Sequence, residues 1–342
     1  MKAQEQPYGV AIIGAGWVSG EHIKAFQKNP RTRVVGIYSR SADAARKKLE
    51  EHGVQGQVYD ALDQVLADRS IQIVSVCSPP DVHADQVIRA AAAGKHMVIE
   101  KPLAMNREDV AAMVSAVDRA GVSTVVSFVL RWNPMIQTTK RLLEDDAVGR
   151  ISYMEADYWH WIGPHYAQYR WARTAAAGGS SLLSAGCHAV DAMRWLAGEI
   201  QEVFGYSAKG FRGSDYEFDP NLAAVVKFRS GAVGKVSSIL ECKTPYVFNV
   251  HIVGDKGTIR NNKVFSHAFP GQTGYLEYPT ILPDSGDVTH HPFVHEIDHF
   301  VECLDTGKKA ITEIRDAQKT MEVCFGISDS VREGRPVSLK AS

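Results

Sequence analysis

Through its first 128 residues the chain alternates short, unbroken apolar runs with segments whose apolar positions recur every three or four residues. Runs at 8–13, 33–38, 71–76, 96–99 and 123–128 read as strands, and 18–28, 41–52, 60–68, 81–93 and 106–120 read as helices. A run such as Val10-Ala11-Ile12-Ile13, apolar at every position, suits a parallel sheet covered on both faces, and the strand–helix rhythm is that of βαβ units. From about 150 the texture changes. Segments at 150–161, 201–209, 221–229, 233–241, 246–254 and 257–265 alternate more loosely and are joined in places by turn signals such as Ser230-Gly231 and Asp255-Lys256-Gly257, which predicts antiparallel hairpins. One helix is expected near 186–197 and two more at about 291–306 and 315–333.

The first strand opens directly into Gly14-Ala15-Gly16. Gly14 permits a tight turn, Gly16 leaves room for a pyrophosphate, and Ser19 is small enough for helix and strand to pack closely. The helix start at Trp17 and Val18 then turns free N–H groups toward the phosphates. The fold class expected is α/β, with an N-terminal Rossmann parallel sheet and a C-terminal α+β domain carrying a large, mainly antiparallel open sheet. The division expected is 1–130 for the dinucleotide-binding domain and 131–342 for the substrate-binding and oligomerisation domain, with the active site in the cleft between them.

Charge narrows the partners. With 38 basic against 39 acidic residues and no long run of one sign, neither a nucleic-acid nor a membrane-surface footprint is indicated. No signal-peptide pattern and no apolar run long enough to span a bilayer occur, so a cytoplasmic location is expected. The five cysteines are scattered without C-x-x-C spacing, as reduced packing residues are.

Moving a hydride between a carbinol carbon and a nicotinamide needs a group that manages the hydroxyl proton. Lys101 follows the strand at 96–99 and precedes Pro102, which keeps it out of helical geometry at the C-terminal strand edge, where α/β sheets bind ligands. Glu100 can pair with it or orient it. His188 is a second proton carrier, with Asp191 three residues on; Ser184, His188, Asp191 and Trp195 share one face if the helix extends back that far. The second strand ends in Tyr38-Ser39-Arg40-Ser41, without the acid that usually accepts from the adenosine ribose hydroxyls of NAD. Arg40, with Ser39 and Ser41, suits a 2′-phosphate, so NADP is favoured over NAD. Rings at Tyr153, Tyr158, Trp159, Trp161, Tyr166, Tyr169 and Trp171, interleaved with His160, His165, Arg170 and Arg173, suit a pyranose or cyclitol: its C–H faces stack while its hydroxyls find partners. About half of these rings are expected to be structural. Substrate-binding candidates are Lys101, Tyr158, His160, His165, Tyr169, Arg173, Ser184 and His188.

Several separated segments together resemble the Gfo/Idh/MocA oxidoreductases, the family of glucose-fructose oxidoreductase and inositol dehydrogenases. They are Gly14-Ala15-Gly16 with Ser19 and His22; Pro79-Pro80-Asp81-Val82-His83; Ala93-Gly94-Lys95-His96 leading into Glu100-Lys101-Pro102-Leu103-Ala104; Arg131-Trp132-Asn133-Pro134; Gly178-Gly179 through Gly186-Cys187-His188 to Asp191; and Val253-Gly254 followed by Gly257-Thr258. The resemblance implies a Rossmann domain with a C-terminal open-sheet domain. It implies a catalytic lysine at Lys101, a catalytic histidine at His188 and a substrate or orienting residue at Asp191. It adds Ser78, Pro79, His83, Glu100, Lys101 and Arg131 to the cofactor residues, with Asn133 beside them. Many members carry an aspartate four positions before the histidine, where this chain has Ser184. A homodimer or homotetramer is implied by resemblance alone. Two alternatives stand beside a sugar or cyclitol dehydrogenase: a redox-neutral enzyme that cleaves or epimerises glycosides with retained NAD, and a non-catalytic nucleotide-binding protein. His295-Glu296-Ile297-Asp298-His299 also fits the H-E-x-x-H zinc pattern, with His291 one turn earlier, but the segment coincides with a family stretch that begins a C-terminal helix, so no metal is expected.

Overall fold

The computed structural model of the chain describes residues 6–166 and 168–340. Two compact units emerge. The first is Met1–Phe128 with Phe293–Gln318, and the second is Val129–Pro292 with Lys319–Ser342. This corrects the contiguous division at 130, because the chain returns to its first unit after residue 292.

In the first unit, β1 (Tyr8–Ile13), β2 (Thr32–Tyr38), β3 (Gln57–Tyr59), β4 (Ile73–Val76), β5 (His96–Ile99) and β6 (Thr124–Val126) form one parallel sheet in the order β3-β2-β1-β4-β5-β6. Its helices are α1 (Trp17–Lys28), α2 (Ala42–Glu51), α3 (Leu62–Ala67), α4 (His83–Ala92) and α5 (Arg107–Ala120). β1 and β4 are buried at every position, which is why they read as unbroken apolar runs. The strand order reverses between β1 and β4, and in open α/β sheets ligands bind beyond the carboxyl ends of the strands at such a point. β3 was not expected; at three residues it is too short to carry a period.

The returning segment is tied in by specific bonds. Val126 N–H donates to the Thr312 carbonyl at 2.9 Å, Ile314 N–H donates to Thr124 Oγ1 at 3.0 Å, and Tyr8 Oη donates to Asp305 at 3.0 Å. Its rows of apolar residues had suggested only helices, not which core they join.

In the second unit, α6 (Pro134–Glu144), α7 (Tyr169–Ala172) and α8 (Cys187–Ala197) accompany a nine-stranded sheet. Its strands are β7 (Ile151–Trp159), β8 (Ile200–Ala208), β9 (Asn221–Phe228), β10 (Val233–Ile239), β11 (Val247–Gly254), β12 (Gly257–Arg260), β13 (Lys263–Ser266), β14 (Leu276–Glu277) and β15 (Val337–Ser338). Their order is β14-β13-β12-β11-β7-β10-β9-β8-β15, and β7 with β10 is the parallel pair in an otherwise antiparallel sheet. The single strand expected over 257–265 is two: Asn261, at φ 52°, turns the chain between β12 and β13 in the left-handed region that asparagine tolerates. α9 (Phe293–Thr306) belongs to the first unit, and the division between units falls within α10 (Ile314–Glu333).

Candidate functional site

Gly14 has φ 110°, and a Cβ there would stand 2.6 Å from the Cys77 carbonyl oxygen. The turn after β1 therefore needs glycine twice over, for its backbone angle and for the close approach of the end of β4. Gly16 caps α1 without a side chain and no acidic residue lies in the first turn. A Cβ at Gly16 would meet no atom within 4 Å. The N–H groups of Trp17, which is exposed, and half-buried Val18 thus begin a helix whose positive end has no carboxylate of its own. Ser19 is fully buried and donates to the Gly16 carbonyl at 2.6 Å.

At the end of β2, Ser39 is half-buried and Arg40 exposed. Ser41 accepts the Ala44 N–H at 3.2 Å and so caps α2, a bond that does not use its hydroxyl proton. Ser78 donates to Gln86 Oε1 at 2.6 Å, with half-buried Pro79 beside it.

His83 is expected among the cofactor residues. It is fully buried, with Nδ1 3.0 Å from the Pro102 carbonyl and Nε2 2.8 Å from that of Ser78. Burial lowers its pKa. The imidazole lies between the loop after β4 and the turn after β5, and its single N–H donates to one of the two carbonyls. Glu100 is likewise buried and occupied. Its Oε1 meets His22 Nε2 at 3.0 Å and its Oε2 accepts the Lys101 N–H at 3.1 Å. Glu100 orients Lys101 through the backbone, and Lys101, half-buried, stands just past β5.

His22 has no assigned role in the sequence reading, yet it is fully buried, with Nδ1 2.9 Å from Ser75 Oγ. Burial opposes charge on this ring, but the Cys77 sulfur and the Glu100 carboxylate outweigh it and push the pKa well above its ordinary value. The signal was available: Ser19, His22, Ile23 and Phe26 form the buried stripe of α1.

The second unit carries His188 near the start of α8, just after a π-helical turn at Leu182–Gly186. Such turns occur often at functional sites. Ser184 lies within that turn, four residues before His188. Gly186 is required there, since a Cβ would lie 2.5 Å from the Ser238 side chain on β10. The His188 ring stacks on Tyr158 at 6.1 Å and lies 6.0 Å from His291. Tyr246 packs 5.0 Å from Tyr158, 4.8 Å from His160 and 5.9 Å from His291. Tyr158 Oη is 3.2 Å from His160 Nδ1, and His160 Nε2 is 2.5 Å from Tyr166 Oη. Tyr158, His160 and His188 therefore come together, with Tyr246 and His291 joining them. Both lie far along the chain from the aromatic stretch; His291 had been noted only beside the H-E-x-x-H pattern, and Tyr246 had no spacing to betray it.

Asp191 is expected as a catalytic residue. It forms a buried two-pronged pair with Arg131, at 2.8 Å from Nε and 2.7 Å from Nη2, and Oδ1 also accepts from Thr320 at 2.9 Å. Arg131, expected at the cofactor, lays its guanidinium over the Trp195 ring at 4.7 Å. Asn133 caps α6 by accepting from Met135 and Ile136, and is a structural residue. His165 is exposed beside Trp161, with ring centroids 4.4 Å apart. Tyr169 and Arg173 both reach Asp215, the first by its hydroxyl and the second by Nη1 to the carbonyl at 3.0 Å. Burial and the Asp215 carboxylate push Tyr169 up to about 12. Asp215 escaped notice because its loop has no periodic pattern.

The H-E-x-x-H segment does not converge. His295 is exposed, His299 Nε2 accepts the Ile311 N–H at 3.1 Å, and Glu296 is turned into the core. Among the described residues no group of three or more His, Cys, Asp or Glu side chains is placed to hold a metal ion. All five cysteines are free, four of them buried. Among the described residues no helix is long and apolar enough to cross a membrane.

The strand order and glycine turn define the first unit as a doubly wound, dinucleotide-fold domain. The family model for an oxidoreductase family with an NAD-binding Rossmann fold matches residues 8–128, and that of the GFO/IDH/MocA C-terminal domain matches residues 136–260. The chain belongs to this family of oxidoreductases. Scyllo-inositol 2-dehydrogenase (NAD(+)) of Bacillus subtilis is 26% identical over 339 residues, spanning 96% of this chain and 95% of its own. D-xylose 1-dehydrogenase (NADP(+)) 2 of Haloferax volcanii is 24% identical over 331 residues, spanning 96% and 98%. The structure of levoglucosan dehydrogenase in complex with NADH shares the fold, with a TM-score of 0.90 at 21% identity over 98% of this chain and all 100% of that one.

Proposed function

We propose that the protein is an NAD(P)-dependent dehydrogenase or reductase acting on a hydroxyl or carbonyl of a sugar, sugar derivative or cyclitol. The observation that carries this reading is the common edge of the first sheet, where the glycine turn, the uncapped start of α1 and the Lys101 turn are bound to one another through Cys77, His83 and Glu100. These residues fit a dinucleotide: open space at Gly16 and unopposed helix N–H groups suit a diphosphate. Gly14, Gly16, Trp17, Val18, Ser39, Arg40 and Ser78 with Pro79 would hold it, and when bound its nicotinamide supplies the hydride acceptor or donor. Lys101 binds the substrate oxygen and lowers the hydroxyl pKa, and His188 exchanges the hydroxyl proton. The polar aromatic cluster around His160 and the Tyr169–Asp215–Arg173 group supply stacking faces and hydrogen bonds of the kind a polyol needs. Names of the relatives, an inositol and a xylose dehydrogenase, support the substrate class. A screen of sugars and inositols with both cofactors, followed by reduced-nicotinamide absorbance, tests the reading. Turnover of at least one polyol is expected, and the absence of both turnover and dinucleotide binding would sink the reading.

NADP is the favoured cofactor. No carboxylate ends β2, and Ser39 and Arg40 remain there while Ser41 caps α2. The KM for NADP is expected to be lower than for NAD, and Ser39→Asp is expected to reverse the order, since a carboxylate repels the 2′-phosphate and accepts from the ribose hydroxyl. Equal KM values in the parent protein would remove the preference.

A homodimer or homotetramer is proposed on the outward face of the second sheet. Tyr206, Val225 and Val233 are exposed there at 70%, 57% and 51%. Neighbouring strands set Val225 beside Phe204 and Lys235. Such a face favours burial against a second copy. Light scattering is expected to give at least twice the 37.5 kDa chain mass, with Val225→Glu shifted toward the single chain; a monomeric parent protein would refute it.

A further inference from the structure

One carboxyl of the first unit has no part in the site as built so far. Glu296 on α9 has no exposed surface, and neither oxygen has a hydrogen-bond partner among the described residues. A carboxyl in that state is costly to bury, so its surroundings carry information. Phe293, one turn earlier on the same face of α9, packs on the His22 ring with centroids 5.2 Å apart. Glu296 follows along that face and meets the field of both His22 and Glu100.

The groups facing it come from four elements. His22 stands on α1, Glu100 just past β5, and the Ser127 hydroxyl just past β6, outside hydrogen-bond geometry. Cys77, just past β4, acts on His22. On α9 itself His295 is exposed, Asp298 is held by Asn29 at 2.7 Å, and His299 is bound to the Ile311 N–H.

We propose that Glu296 is a positioning residue for the Lys101 turn, acting through the buried His22–Glu100 pair. Glu100 holds His22 with one oxygen and the Lys101 N–H with the other. Two carboxyls in one dry pocket do not both ionise cheaply, so Glu296, the one without a hydrogen-bond partner, keeps its proton. Burial pushes Glu296 up to about 8, with His22 pulling it back and Glu100 adding to the rise. Above that pH a second negative charge enters the pocket. It either fixes the proton on His22 or displaces Glu100, and in both cases the anchor of the Lys101 backbone changes. The functional consequence rests on the role proposed for Lys101; the proton coupling does not.

The test follows the His22 imidazole signals by NMR in the full chain, from about pH 6 to about pH 10, in the parent protein, Glu296→Gln and Lys101→Ala. Besides the ionisation of its own ring, the His22 signals of the parent are expected to show a second inflection near pH 8 that Glu296→Gln lacks. The kcat profile of the same variant should lose the matching alkaline limb, a fall of about tenfold per pH unit for one essential ionisation. Lys101→Ala should keep the inflection, so its turnover alone reports on the Lys101 assignment. An inflection near pH 8 that survives in Glu296→Gln beside His22's own ionisation overturns the proposal. So does its absence from the parent protein, a result that needs no variant to fold.

Discussion

Lys101→Ala is expected to lower kcat by about 10²- to 10⁴-fold, the range spanned by losing one positioned proton-managing group. At about 1.4 kcal/mol per decade, this removes roughly 3–5 kcal/mol of transition-state stabilisation. The turn itself should survive. The Lys101 backbone is held by Glu100 Oε2 at 3.1 Å, and the next carbonyl, of Pro102, lies 3.0 Å from His83 Nδ1, so the variant loses an ammonium and not an anchor. Binding of NADPH, read by fluorescence titration, is accordingly expected to weaken by less than about tenfold, because the Gly14 turn and the start of α1 are independent of that side chain. Lys101→Arg keeps the charge but spreads it over a planar fork that does not deprotonate, and should recover only part of the loss. Turnover of Lys101→Ala equal to that of the parent protein would remove Lys101 from the reaction, whatever polyol is used.

What could be read in advance follows from how each feature is written into the chain. β1 and β4 were legible because strands buried on both faces need apolar residues at every position. The glycine turn was legible because φ 110° and a carbonyl 2.6 Å from a hypothetical Cβ leave no alternative to glycine at position 14. β3 and the break at Asn261 were not, since three residues carry no period and a single left-handed asparagine looks like any other polar position. Side-chain partnership was the least legible. Asp191 and His188 form a plausible acid–base couple by spacing alone, whereas the carboxylate is committed to Arg131, 60 positions away. Glu296 next to two histidine-bearing positions suggested metal chemistry; in the fold it looks inward, toward a histidine 274 residues before it on α1. Periodicity reports which way a residue faces. Its partner is a property of the fold.

The Arg131–Asp191 pair supplies the second large effect, this time on stability. Its two side chains are 2% and 4% exposed, and removing the carboxylate in Asp191→Ala strands a guanidinium in the core of the second unit. Breaking a buried pair in this way costs about 3–5 kcal/mol, a large share of the roughly 5–15 kcal/mol that a domain has. Denaturant unfolding is expected to show that loss. Replacing both partners by apolar residues, Arg131→Met with Asp191→Leu, should cost less than Asp191→Ala, because no unpaired charge remains and Trp195 can still pack against the new side chain. Thr320 is the complication: its hydroxyl donates to Asp191 at 2.9 Å and accepts from Arg194 at 2.7 Å, so the double variant leaves one proton to find a new acceptor. The same double variant separates support of α8 from chemistry. If Asp191 serves by fixing the helix that carries His188, kcat should return to within about tenfold of the parent once stability does. Recovered stability with kcat still down by about 10²-fold or more would mean that the carboxylate also touches the substrate, and that its pairing with Arg131 is broken during turnover.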